Sequence, residues 1–237
     1  MYTNIRFTPK WSFWVILTHW LTSSIESKSL RNLENFFQSK NISTLAFDIY
    51  GHWKSDWTIE DLALTKCYEQ ALSCMDIFHE NNIVCKYSYW TSFSTLPILK
   101  FGCLIEEVEY IIFKTPVFDY YKKRVEDIWG EKNMIEWQNK WIMQTGFNER
   151  ENKPILQKYV FIEDYQKNFS NYNELLSKKK IIIWAGIDDE EVNVDELREI
   201  SELNKNIALI EYEENHRFSK ESMDKFCLDI SKKINIS

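Results

Sequence analysis

Residues 83–94 read IVCKYSYWTSFS, and this stretch decides the fold. Ile83–Tyr89 is a short run of β-branched, apolar and aromatic residues, which predicts a buried strand. Trp90-Thr91-Ser92-Phe93-Ser94 then turns, and Ser94–Phe101 continues with the pattern of a helix. A serine between a strand and the helix behind it stands at the carboxyl end of the strand. Functional groups of parallel α/β sheets collect there. Ser92 and Ser94 compete for that position, and both could simply cap the helix.

Outward from this segment the same alternation repeats. Phe13–Thr18 reads as a strand, Leu30, Leu33, Phe36 and Phe37 as a helical stripe, and Ile42–Asp48 as a second strand. Leu62, Cys67, Ala71, Cys74 and Phe78 mark another helix, and Glu109–Lys114 is a strand stopped by Pro116. After the middle of the chain come strands at Ile181–Trp184 and Ala208–Tyr212. Helices follow at Glu196–Leu203 and Met223–Ile234. Alternating β and α elements predict a mostly parallel sheet with helices on both faces. Residues 120–178 depart from the pattern, being rich in charge and aromatics (Trp129, Trp137, Trp141, Phe161, Tyr165). Two or three helices without strong strands are expected there, as a lid-like insertion in a single domain spanning 1–237.

Composition narrows the function. At 237 residues and 44% hydrophobic, the chain can bury one sizeable core. Its net charge of −7 is spread along the chain, which leaves no basic footprint for nucleic acid. Cys67, Cys74, Cys85, Cys103 and Cys227 are odd in number and lack C-x-x-C spacing. They read as reduced thiols of a cytoplasmic protein, with no metal site. Trp11–Leu21, preceded by Arg6 and Lys10, imitates a signal peptide, but Ser12, Thr18 and His19 interrupt it. No run is long enough to span a membrane. Dinucleotide and phosphate-loop glycine patterns are absent, so no cofactor is expected.

The loops after the strands carry the chemistry-bearing residues: His19-Trp20-Leu21, Gly51-His52-Trp53-Lys54-Ser55-Asp56, Trp90-Thr91-Ser92-Phe93-Ser94, Gly186-Ile187-Asp188-Asp189 and Glu214-Asn215-His216-Arg217. In kind and order these segments resemble the α/β-hydrolase superfamily. The nearest likeness is to its small esterase-like and acylglycerol-lipase-like members, over about residues 13–119 and 180–235. The resemblance implies an α/β-hydrolase fold and a serine hydrolase acting on a carboxylic ester or thioester. The implied triad is Ser92 as nucleophile, His216 as base and Asp189 as the acid that orients it, with Asp188 an adjacent alternative. The implied oxyanion hole is the backbone N–H of Leu21 and Phe93, and the implied partner is a small acyl ester. Asp48, Ser55, His19 and His52 take structural roles in this reading, and His79 lies solvent-facing in a helix. A peptidase, thioesterase or acyltransferase of the same fold fits the same residues. So does an inactive binding protein.

The departures from the resemblance share one feature. Trp20, Trp53, Trp57 and Trp90 stand where those motifs carry glycine. The chain has 5 Gly and 10 Trp. Average usage would give roughly 17 glycines in a chain of this length. The expectation is a gene whose UGA codons mean glycine, written as tryptophan.

Overall fold

The computed structural model describes residues 3–10, 13–81, 84–148 and 151–236. The predicted strand Ile83–Tyr89 therefore begins outside the described residues, as do Trp11 and Ser12 of the N-terminal apolar stretch.

Strand β1 (Ile5–Thr8) was not foreseen, since its four half-buried residues carry little hydrophobic signal. It lies antiparallel on the sheet edge. Next come β2 (Trp14–Leu17), α1 (Lys28–Ser39) and β3 (Ser43–Phe47). The predicted helix through Leu62–Phe78 divides into α2 (Leu64–Ser73) and α3 (Met75–Glu80). Then β4 (Cys85–Thr91) leads to α4 (Thr95–Leu104) and β5 (Tyr110–Lys114).

The insertion contains α5 (Tyr120–Asp127), α6 (Glu131–Lys140), β6 (Ile142–Asn148), β7 (Lys153–Lys158), α7 (Val160–Asn168) and α8 (Tyr172–Leu176). The expectation of helices without strands is corrected here, because β6 and β7 form an antiparallel hairpin. That ribbon keeps few inward positions, among them Thr145, Ile155 and Gln157, so it lacks the apolar alternation that marks a strand. The chain closes with β8 (Lys180–Gly186), α9 (Val194–Leu203), β9 (Ile207–Tyr212) and α10 (Lys220–Lys233).

Seven strands form one sheet in the order β1-β3-β2-β4-β5-β8-β9, parallel throughout except at β1. Period-two alternation sends the two faces of each strand into separate cores. Trp14, Ile16, Leu45, Phe47 and Phe113 pack under α2, α4 and the insertion. Val15, Leu17, Ala46, Tyr89, Ile182 and Trp184 pack under α1 and α10, with Phe37 and Phe226. The edge strand is tied in by Arg6, whose Nε donates to Glu34 Oε1 of α1 at 2.9 Å. Five cysteines are unpaired, and Cys67, Cys74 and Cys85 are buried. Among the described residues, no helix is long and apolar enough to cross a membrane.

Candidate active site

The carboxyl ends of β4, β8 and β9 open onto one cleft. Ser92 follows β4 with φ of +51°, a left-handed conformation that an L-residue holds only when its surroundings enforce it. Two hydroxyls enforce it. Ser94 Oγ donates to the Thr91 carbonyl at 3.1 Å and accepts from Thr18 Oγ1 at 3.0 Å. Thr95 Oγ1 donates to the Ser92 carbonyl at 2.5 Å. Ser94 is buried and spends its hydroxyl on the turn, whereas Ser92 Oγ lies 3.1 Å from His216 Nε2.

His216 Nδ1 lies 2.9 Å from Asp189 Oδ2 and 3.0 Å from Oδ1. Asp189 Oδ1 accepts the backbone N–H groups of Glu191 (2.8 Å) and Val192 (2.9 Å). Burial works against the charge of this carboxyl. The His216 bond and charge, with the two N–H donors, outweigh burial and hold its pKa below the usual aspartate value. The adjacent Asp188 is exposed, and its backbone N–H donates to the Glu214 carbonyl at 3.1 Å.

The Asp189 and His216 loops meet at Gly186. A Cβ on Gly186 would lie 2.1 Å from the Glu214 carbonyl oxygen, so only glycine permits this contact. Beneath the same loop sits a group that the sequence did not single out. Lys114 ends β5, is buried, and donates from Nζ to the His216 carbonyl at 2.7 Å. Its ammonium also lies 4.3 Å from the Phe218 ring. Burial lowers its pKa to about 8, partly offset by the charges of Asp189 and Glu214. A lone Lys at a strand end carries no sequence signal, since only the fold shows that it is buried.

A cavity of about 390 Å³ covers Ser92 and His216. Its walls include Trp20, Leu21 and Phe93 from the domain and Tyr120, Phe147 and Ile155 from the insertion. Leu21 and Phe93, named for their N–H groups, thus both border the same space as Ser92. Tyr120 of α5 donates its hydroxyl to the Phe93 carbonyl, which holds the Phe93–Ser94 peptide just beyond Ser92. Arg124 also lines the cavity; it is buried, its Nη1 meets Asp127 Oδ2 at 2.5 Å, and its Nε has no hydrogen-bond partner among the described residues.

The turns after β2 and β3 are held by residues that do not reach the cleft chemistry. His19 Nδ1 lies 2.9 Å from the Trp20 carbonyl, and Nε2 lies 3.1 Å from the Ile49 N and 3.4 Å from Asp48 Oδ1. His52 is buried beside it, and burial and then His19 push its pKa down to about 3. Asp48 Oδ1 accepts the Ile25 N–H at 2.7 Å, and Ser55 Oγ donates to the Asp48 carbonyl at 2.6 Å. His79 is exposed on α3. Among the described residues, no group of three or more His, Cys, Asp or Glu could hold a metal ion.

No protein-family model and no curated protein sequence matches this chain. Solved structures do. Mouse alpha/beta hydrolase domain-containing protein 10 matches with a TM-score of 0.82 at 15% identity, over 98% of this chain and 94% of that one. Est1E from Butyrivibrio proteoclasticus, with ferulic acid bound, matches at 0.77 and 18% identity, over 98% and 94%. A monoacylglycerol lipase from Paleococcus ferrophilus matches at 0.75 and 13% identity, over 98% and 96%. At such identities the likeness is one of fold, and the fold is that of the α/β-hydrolases.

Proposed function

We propose that this chain, an α/β-hydrolase by fold, is a serine hydrolase that cleaves a carboxylic ester or thioester through an acyl-enzyme on Ser92. One observation carries the reading: the unbroken hydrogen-bonded line from Ser92 Oγ through His216 to Asp189, at 3.1 Å and 2.9 Å. A serine hydroxyl is a weak nucleophile until a base takes its proton. His216 Nε2 is within reach of that proton, and Asp189 on the far nitrogen fixes the ring and stabilises its charged form.

In the proposed reaction, Ser92 Oγ attacks the carbonyl carbon and His216 takes its proton. The oxyanion rests on the backbone N–H groups of Phe93 and Leu21, each such donor contributing on the order of 10²–10³-fold in rate. His216 then protonates the leaving alcohol or thiol. Water then attacks the acyl carbon and loses a proton to His216, which returns it to Ser92 Oγ as the acyl–oxygen bond breaks and the acid leaves. The apolar and aromatic wall of Phe93, Tyr120, Phe147 and Ile155 suits an apolar or aromatic acyl group. The chemistry is that of the esterases and lipases among the similar folds. The site serves the small acyl compound, and the compartment of the reaction is proposed to be the cytoplasm.

The test is covalent labelling with a fluorophosphonate. The wild-type chain should label and Ser92→Ala should not, while both keep the same melting curve. Equal labelling of the two proteins would remove Ser92 from the reaction. A folded wild-type chain that never labels would favour an inactive binding protein.

A further inference from the structure

The nine described tryptophans divide into groups that one residue type should not produce. Trp14, Trp90, Trp137 and Trp184 are 0–1% exposed, and none has positive φ. Trp53, Trp57, Trp129 and Trp141 have φ of +46°, +76°, +61° and +66°. These four expose 54%, 63%, 90% and 45% of their surface. A bulky side chain at positive φ is an outlier, seen in a small minority of residues. Here it occurs in four of nine.

Aromatic bulk does not explain it. The chain has 15 Phe and 12 Tyr, and among the described residues Phe218 is the one member of either type at positive φ. Nor does the proposed site explain it: none of the four lines the Ser92 cavity, although Trp53 and Trp57 border a neighbouring one and Trp57 and Trp141 rest on Tyr50 and Tyr159.

The turns themselves ask for glycine. After α5, the Trp129 N–H donates to the Glu126 carbonyl at 3.1 Å and the Gly130 N–H to the Val125 carbonyl at 2.8 Å. That pair of bonds is the Schellman helix ending, and Trp129 holds the left-handed position where glycine is preferred. Trp141 occupies the left-handed cap of α6. Trp53 is the second residue of the turn closed by the Ser55 N–H on the His52 carbonyl at 3.0 Å, and positive φ there favours Gly or Asn. Trp57 follows in the same loop.

We infer that residues 53, 57, 129 and 141 are glycine in the protein as its own cell makes it, encoded by UGA codons that its ribosomes read as glycine. Trp129 and Trp141 lie in the insertion, outside any motif, so the inference does not depend on the proposed activity. Trp20 and Trp90 join the set on their sequence context. Glycine at 20 would take an indole out of the cavity wall beside Leu21 and widen the space over Ser92. Trp14, Trp137 and Trp184 remain tryptophan. Trp137 is buried and donates from Nε1 to the Gln157 carbonyl at 2.8 Å.

The deciding experiment reads the gene and the native protein together. UGA is expected at codons 53, 57, 129 and 141, and UGG at 14, 137 and 184. Peptide masses from the source cells are expected to show glycine at the first four. UGG, or tryptophan in the native peptides, at those four positions overturns the inference. As a second readout, the recombinant chain with Trp53, Trp57, Trp129 and Trp141 all changed to Gly should melt more than about 5 °C above the chain as written. Trp137→Gly should melt lower. An unchanged or lowered melting point of the fourfold variant would overturn the strain argument. Loss of fluorophosphonate labelling would bear on Ser92 alone.

Discussion

At the scale of single residues, backbone conformation and burial carry the information. A left-handed conformation costs an L-residue about 1–2 kcal/mol. The four exposed indoles at positive φ therefore sum to about 4–8 kcal/mol, against a typical folding stability of about 5–15 kcal/mol. Lys114 is the second informative residue. Its folded pKa is about 8 against an ordinary 10.5, so between those values the unfolded chain binds more protons. The charged amine thus weakens the fold below pH 8, by roughly 3 kcal/mol, and the penalty fades as pH rises towards 10.5. Urea denaturation should show wild-type stability rising over that window relative to Lys114→Met, on a background that falls in both proteins because burial raises the pKa of Cys67, Cys74 and Cys85. Parallel curves would mean that the amine carries no buried charge. Because Nζ holds the His216 carbonyl, Lys114→Met should also lower kcat more than it raises KM. Asp189→Asn should reduce kcat by on the order of 10⁴-fold with little change in melting temperature, as measured on an activated ester.

At the scale of elements, the insertion is fastened to the domain at identifiable points. The N-cap of helix α2 is Ala63, which has no side chain able to cap it. Asp164 of α7 supplies the cap instead, accepting the Thr65 N–H at 2.7 Å and the Thr65 hydroxyl at 2.5 Å. A carboxylate at a helix N-terminus satisfies free N–H groups and meets the positive end of the helix dipole. Asp164→Ala should cost about 1–2 kcal/mol, seen as a lowered denaturation midpoint with the slope unchanged. Tyr120 is the other fastening, and it reaches the site. Its hydroxyl on the Phe93 carbonyl holds the Phe93–Ser94 peptide, the unit that follows the Ser92–Phe93 peptide whose N–H is proposed to bind the oxyanion. Tyr120→Phe should lower kcat severalfold and leave KM nearly unchanged. A change confined to KM would indicate that Tyr120 only shapes the cavity.

At the scale of the whole molecule, one rim of the sheet assembles the site from distant parts of the chain. Gly186 is the seam, because the strand end carrying Asp189 touches the loop carrying His216 with no space for a methyl group. Gly186→Ala should separate the two loops and abolish labelling at Ser92, even where circular dichroism shows an intact fold. The alternation of buried strands and amphipathic helices was legible from periodicity, because hydrophobic pattern is set by residues a few positions apart. So was the order in which a hydroxyl, a carboxylate and an imidazole follow strand ends. The hairpin β6–β7 and the edge strand β1 were not legible, since their half-buried residues carry no strong alternation. Local sequence favoured Ser92 over Ser94 and Asp189 over Asp188, and kept Ser94 and Asp188 as alternatives. The tertiary structure adds what local sequence does not carry: a turn that uses the Ser94 hydroxyl and a loop that leaves Asp188 in solvent. The same holds for Lys114 and Arg124. Their burial arises from contacts with segments far away in the chain, such as that of Lys114 with His216, 102 positions on, and no local pattern records such a contact.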